Sequence, residues 1–482
     1  MEELLRSALE AAQASGVVAA DVRVVAPSRY VHLAVRNGEA SALTDAVGQG
    51  IGVRVRTSRA WGFAASSTLD RTTARVVGER AARLARAASA SARSELRLTH
   101  ETGPRGGRYR TPMRRDPFHV PAEEVVALLA EAERRLHVRR EVRTGVAQFQ
   151  AWDESKWYAA SDGSSYASRI VHVGAGVTVL AVRGASVQRR SAPTSFGGNF
   201  AQGGFEFVTS LDLSGRAEET GREAVQLLDA RACPTGRTTL VLGSDQLALQ
   251  VHESVGHAVE LDRILGSEAG YAGRSWVPRD GVGTLRYGSA RMNVTADALV
   301  PGGLGSFAWD DEGVRARSTP IVKEGTLVGL LSSRESAAQA GLARSGGTAR
   351  AQGASRAPLV RMTNVNLEPG ERTFDELLEG VRDGVYLETN RSWSIDDRRL
   401  NFQFGTEVGR TIVRGELGAL VRNPIYAGMT PTFWGSLDAV GDLSTWRLWG
   451  VPNCGKGQPS QIARVGHGAP AARFLNVDVR GG

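Results

Sequence analysis

Two imidazoles and a carboxylate crowd into the stretch Leu249-Gln250-Val251-His252-Glu253-Ser254-Val255-Gly256-His257-Ala258-Val259-Glu260-Leu261-Asp262. Imidazole nitrogen is a preferred zinc donor, and a glutamate beside the first donor can take a proton from a water activated by the metal. The familiar zincin spacing H-E-x-x-H stacks its histidines one helical turn apart. Here the spacing is H-E-x-x-x-H, and positions five apart differ by about 140° around an ideal α-helix. Both rings can face one ion only if the helix widens or ends there. The spacing therefore predicts a π-type turn, with Gly256 lowering its steric cost. A catalytic zinc takes three protein ligands, so a third must come from elsewhere. Glu260, three residues past His257, is one candidate. Cys454, in the glycine-rich loop Pro452-Asn453-Cys454-Gly455-Lys456-Gly457, is the other. His467 is a spare candidate, whereas Cys233, just before a proline at a domain junction, reads as structural.

These residues must be positioned by the elements around them. Apolar periodicity predicts helices over Glu2–Gln13, Asp70–Ala90, Ala122–Leu136, Leu213–Arg231 and Asp245–Leu261. Alternating stretches at 21–25, 30–36, 51–56, 60–65, 142–152, 156–160 and 166–182 read as strands, with hairpin turns at Asn37-Gly38 and Asp162-Gly163. Thr99–Pro117, rich in Gly, Pro and Arg, reads as a linker. Beyond residue 234 come short strands and many glycines, with strands expected at 238–243, 359–367, 385–388, 411–417 and 474–479 and a hairpin over 321–331 about Glu324-Gly325. The expected architecture is α+β: an N-terminal α+β domain (1–105) and a central α+β domain (112–233) with antiparallel sheets. A large β-rich, barrel-like C-terminal domain (234–482) follows and carries the metal-site helix.

Composition bounds the function classes. No apolar run approaches the roughly 20 residues that span a bilayer, and the acidic start Met1-Glu2-Glu3 is unlike a signal peptide, so a cytoplasmic setting is expected. The formal charge of +8 and pI of about 9.9 are basic, but only three residues are lysine (Lys156, Lys323, Lys456) and the arginines are dispersed. A nucleic-acid binder concentrates its charge on one face, so that class is disfavoured. Two cysteines are too few for a disulfide scaffold. Asp310-Asp311-Glu312 reads as a turn paired with arginines such as Arg315 or Arg317 rather than a second cation site. Gly302-Gly303-Leu304-Gly305 lacks the following helix that a phosphate loop needs. Trp393, Trp434, Trp446 and Trp449 read as core or interface anchors rather than a base-stacking platform.

The metal motif, His252-Glu253-x-x-Gly256-His257 followed by Glu260-x-Asp262, resembles that of the TldD/PmbA peptidases, and of their catalytic TldD type in particular. The opening segments Arg36-Asn37-Gly38, Gly50-Ile51-Gly52-Val53-Arg54 and Ala60-Trp61-Gly62-Phe63-Ala64 are similar too. So are Trp309-Asp310-Asp311-Glu312-Gly313, Arg361-Met362-Thr363-Asn364 and Cys454-Gly455-Lys456. The resemblance implies zinc held by His252, His257 and Cys454, with Glu253 as the catalytic base. It also implies a dimer, with a TldE/PmbA-like partner or a second copy, enclosing a chamber.

The expected function is a zinc metallopeptidase acting on peptides or unfolded segments, bound as an added strand. The rival expectation is a metal-stabilised binding or regulatory protein without turnover, in line with the family's historical label as a modulator of DNA gyrase. Glu253 discriminates, because a structural zinc site needs no adjacent base.

Overall fold

β-branched and alternating segments in the first half of the chain join into strands far longer than their individual patterns suggest. In the computed structural model, which describes residues 1–482, the stretches at 21–25 and 30–36 form one strand, Ala19–Arg36. Its register shifts between Val25 and Ser28, around Pro27, against both neighbouring strands, and again between Ala34 and Val35 against the following strand. The stretches at 142–152 and 156–160 likewise fuse into Val142–Ala160. Asn37 and Gly38, both at positive φ, turn the first hairpin into Glu39–Arg56, and Gly163 helps turn the second into Ser165–Arg183. A two-residue turn with positive φ at both positions matches the natural twist of a hairpin.

These strands form one sheet, with Ala19–Arg36 hydrogen-bonded to Val142–Ala160. Helices Glu2–Ala12 and Arg71–Ser91 close one core on this sheet, through Leu5, Val22, Val53, Val77 and Ala81. Asp70 caps the second helix, accepting from the Thr73 amide. Helices Ala122–Leu136 and Leu213–Leu227 close another core around Leu129, Phe149, Val173 and Ala224. The segment expected to be a linker is pinned instead. Arg105–Arg110 adds a parallel strand along Ser165–Arg183, and Glu101 accepts from the Ser345 amide. Its glycines and prolines bend an ordered segment between two packed bodies.

The second half is β-rich. Strands Asp383–Ile395, Gly236–Leu242, Ala472–Gly481, Pro424–Met429 and Asn401–Val413 pair in sequence, and the last returns to the first, closing a five-stranded barrel. A further sheet includes Val294–Asp297, Asn364–Leu367, Arg447–Lys456 and Gln461–Ala469. Between the two lies the largest hydrophobic core, and the helix that begins at Ser244 runs through it. No helix is long and apolar enough to cross a membrane.

Asp310, Asp311 and Glu312 join the halves, with partners other than those expected. Asp311 pairs with Lys156 at 2.8 Å and Glu312 with Arg54 at 3.0 Å, both from the large sheet. Asp310 accepts backbone N–H groups from Glu312, Val314 and Ala349. Arg317 pairs with Glu101 instead. Sequence proximity suggested local arginines, but the turn faces the sheet. Of the four tryptophans expected as anchors, Trp434 is fully buried and Trp449 donates to Ser244 Oγ, whereas Trp393 is 48% exposed and edges onto Phe196.

Candidate metal centre

The α-helix Ser244–Val251 widens into a π turn over His252–Gly256, closed by the His257 amide donating to the His252 carbonyl at 3.2 Å. That five-residue bond brings the two imidazoles onto one side, with ring centroids 4.9 Å apart. Widening a helix disturbs its hydrogen-bond ladder, and neighbouring side chains engage the wide turn. Tyr287 donates its hydroxyl to the Ser254 carbonyl at 2.6 Å, and Trp434 Nε1 donates to Ser254 Oγ at 2.9 Å. Gly256 serves the turn for a different reason from the one expected. Its φ is not positive; a Cβ there would lie 2.2 Å from Met362 Sδ, so glycine permits a close approach.

Cys454 meets the histidines from across the core. It sits in the strand Arg447–Lys456, paired with Ala463, and is buried. The expected mobile loop is thus an ordered strand end, and Arg361 fixes it by donating to the carbonyls of Cys454 and Gln461. One donor atom from each of His252, His257 and Cys454 lies within 4.8 Å of the others. Cys454 Sγ is 3.6 Å from His257 Nε2. Two ligands at zinc–nitrogen and zinc–sulfur bond lengths with tetrahedral angles stand about 3.6 Å apart. The donor set, two imidazoles and a thiol, suits the same ion.

Hydrogen bonds orient both rings. The carbonyl of Val365 can only accept, so His467 donates to it from Nδ1 at 2.9 Å and offers Nε2 as an acceptor. His252 Nδ1 then donates to that nitrogen at 2.7 Å, leaving His252 Nε2 for a metal. On His257, Nδ1 donates to Glu260 Oε2 at 3.0 Å, and Nε2 is again the free donor atom. Such partners commonly fix the tautomer of a ligand histidine. Glu260 therefore stands behind His257, and His467 behind His252. Burial would raise the Cys454 thiol, but His257, His252 and Arg361 outweigh it and hold the thiol well below its usual value. Burial lowers both histidines; Cys454 reverses this for His252, which is raised, while His257 stays well below its ordinary value.

Lys456, two residues past Cys454 and fully buried, ties the strand to the helix side. Its ammonium lies 2.8 Å from Asp262, 2.9 Å from Glu268 and 3.2 Å from Glu260. Glu260 and Asp262 thus act on the site through Lys456 and His257. The carboxylate of Glu253 accepts from Arg399 Nη1 at 2.8 Å. Arg399 sits at φ 63° in the turn between two barrel strands, where Asp396 accepts the Leu400 and Asn401 amides and Thr430 Oγ1 donates to the Arg399 carbonyl. A non-glycine residue in the left-handed region is uncommon and needs such support. Sequence reasoning missed Arg399 and the place of Lys456. The only local signal was the charged run Asp396-Asp397-Arg398-Arg399 interrupting two alternating strands. Cys233 is not one of the converging donors: it is buried, and burial pushes its thiol up to about 11.

The sequence matches three domain patterns in order: PmbA/TldA metallopeptidase domain 1 over residues 20–92, the central domain over 115–231, and the C-terminal domain over 235–481. A metalloprotease of Methanothermobacter thermautotrophicus is 31% identical over 96% of this chain and 95% of its own length. A zinc metalloprotease TldD homolog of Saccharolobus solfataricus is 26% identical over 51% of this chain and 52% of its own. Among solved structures, one from Thermotoga maritima, described as a candidate modulator of DNA gyrase, superposes with a TM-score of 0.75. It covers 99% of both chains at 17% identity, a likeness of fold.

Proposed function

The chain belongs to the PmbA/TldA metallopeptidase family, and from that membership we propose that it is a zinc-dependent peptidase of the TldD type, acting in the cytoplasm on peptides and unfolded segments. His252, His257 and Cys454 hold the metal, and Glu253 is the general base. The observation that carries the reading is the convergence of those three donors beside a carboxylate aimed by Arg399. Zinc bound by this set supplies Lewis acidity to the attacking water and the scissile carbonyl. Glu253 takes the proton of the water and delivers it to the leaving amine. Arg399 keeps that carboxylate in place. His467 and Glu260 hold the imidazoles in the donor tautomer. Exposed strand edges would accept an extended backbone, so the substrate requirement is free main chain rather than a side-chain code. A TldE/PmbA-like chain or a second copy completes an enclosing dimer.

The test is metal analysis of purified protein together with cleavage of an unstructured peptide, with and without chelator. The expected result is about one zinc per chain and cleavage abolished by chelation. Glu253→Ala should retain the metal but lose turnover by about 10²–10⁴-fold. Zinc-loaded protein that cleaves nothing would instead favour a regulatory role, as the description of the Thermotoga maritima structure suggests for that protein.

A further inference from the structure

Between the large sheet and the C-terminal half lies a cavity of about 840 Å³, distinct from the donor cluster. Its walls mix aromatic rings with charged groups. Tyr30 stacks on Trp152, and Tyr166 stacks on Trp309. The acids in the wall are committed to partners: Asp311 and Glu154 to Lys156, at 2.8 and 3.3 Å, and Asp310 to three backbone amides. Two arginines are not. Neither Arg350 nor Arg464 has a carboxylate within ion-pair distance, although this chain pairs many of its other arginines.

Their hydrogen bonds leave donors to spare. Arg464 donates from Nε to His172 Nδ1 at 2.9 Å, and neither of its Nη groups has a partner in the chain. Arg350 donates from Nη1 to the Met362 carbonyl at 2.9 Å, leaving Nε and Nη2. Both guanidiniums lie over cavity rings, Arg350 over Phe307 at 5.6 Å and Arg464 over Trp152 at 5.3 Å. Burial pulls Arg350 down to about 10, with the positive charges of Arg361 and Arg464 adding to the effect and Asp311 and Cys454 opposing it. Burial also lowers Arg464, opposed only by Glu154. A guanidinium stays charged at neutral pH even so. Two partly desolvated cations with acids nearby but none in ion-pair contact mark a place for an anion, and a planar fork favours a carboxylate or phosphate.

The aromatic wall narrows the choice, since a bare inorganic ion would leave those rings unused. The wall also includes Pro452 and Asn453, which run directly into Cys454 on the same strand. We propose that this cavity binds the free carboxylate end of a peptide, with Arg350 and Arg464 as the anion clamp and the aromatic wall receiving the terminal apolar side chain. The identity of the ligand rests on the peptidase reading; the clamp itself does not.

The experiment is isothermal titration of full-length Glu253→Gln protein, which removes turnover, with an N-acetylated tripeptide ending in phenylalanine. The free acid, the C-terminal amide and inorganic phosphate are titrated separately. The acid should bind at least about tenfold more tightly than the amide, the discrimination that one charge-assisted pair supplies. Adding Arg464→Gln should erase that difference, and Arg464→Lys, which keeps the charge but loses the fork, should retain part of it. Equal binding of acid and amide would overturn the proposal. Phosphate binding as tight as that of the acid, with the same dependence on Arg464, would overturn the peptide assignment and leave a small-anion site. Should Arg464→Gln fail to fold, the acid–amide comparison and the lysine variant decide. Cleavage by wild-type protein of an unstructured peptide with a free C-terminus, and of the same peptide amidated there, is measured separately, and the result that counts is loss of cleavage of both. That loss would remove the peptidase reading while the acid–amide difference still reports on the clamp.

Discussion

His467→Phe tests whether the metal centre is set by its outer partners as well as its donors. His467 is completely buried and is the acceptor for His252 Nδ1 at 2.7 Å. Phenylalanine fills similar space but accepts nothing. Leaving a buried N–H unsatisfied costs about 1–3 kcal/mol, which at 1.4 kcal/mol per tenfold is about 5–150-fold in affinity. In the metal-free protein His252 escapes that cost by turning its ring or moving its proton to Nε2, and zinc binding must reverse this, so zinc affinity falls. The expected rise in zinc Kd is about 10–100-fold, in line with other outer-partner losses. Competition against a chromogenic zinc chelator measures it directly, and circular dichroism checks the fold. His467→Gln, whose amide oxygen can sit near the position of Nε2, should recover most of the affinity. A folded His467→Phe protein with wild-type zinc affinity would refute the reasoning, and would mean that His252 is oriented by its backbone alone.

Three further outcomes follow from the geometry. Cys454→Ala should lower zinc content far more than Cys233→Ala, as read by metal analysis of the two purified variants; equal content would remove Cys454 from the ligand set. Gly256→Ala should destabilise the protein by about 1–3 kcal/mol, because its Cβ meets Met362 Sδ at 2.2 Å. Adding Met362→Ala should relieve the clash, so a denaturant titration in which the double variant is no better than strictly additive would count against it. Burial works against the Asp311 carboxylate, but Lys156 and Arg23 hold it below its ordinary value of 3.8. A depressed carboxylate contributes stability above its unfolded value and loses it as pH falls through the folded one. Asp311→Asn should therefore flatten the decline in stability below about pH 4, and an unchanged acid limb would exclude that linkage.

Local chemistry was legible where the sequence states it locally. The H-E-x-x-x-H spacing demanded a widened helix, and the turn over His252–Gly256 provides it. Helix Ala122–Leu136 and the Asn37-Gly38 hairpin follow from periodicity and turn residues. Less legible were features made by distant contacts. Two short alternating stretches do not reveal that a bulge at Pro27 lets them run on as one strand. Arg399 and Lys456 act on the centre through side-chain reach across 146 and 194 positions, which no local pattern encodes. Asp310-Asp311-Glu312 shows the same limit: its charge was visible, but the partners lie on a sheet built more than a hundred residues earlier.

The long central sheet has a consequence for how the chain can be divided. Strand Ala19–Arg36 is bonded along its length to Val142–Ala160, from Asp21 opposite Ala160 to Arg36 opposite Val146. A fragment ending near residue 105 would bare that whole edge, a row of unsatisfied amides and carbonyls ready to template another chain. A fragment beginning near residue 112 would bare the complementary edge. During synthesis the first hairpin must wait, one side open, until about a hundred more residues emerge, and such non-local pairing is slow to form. Separating the first two sequence segments should therefore leave each piece with a long unpaired strand edge, the kind of edge that promotes aggregation.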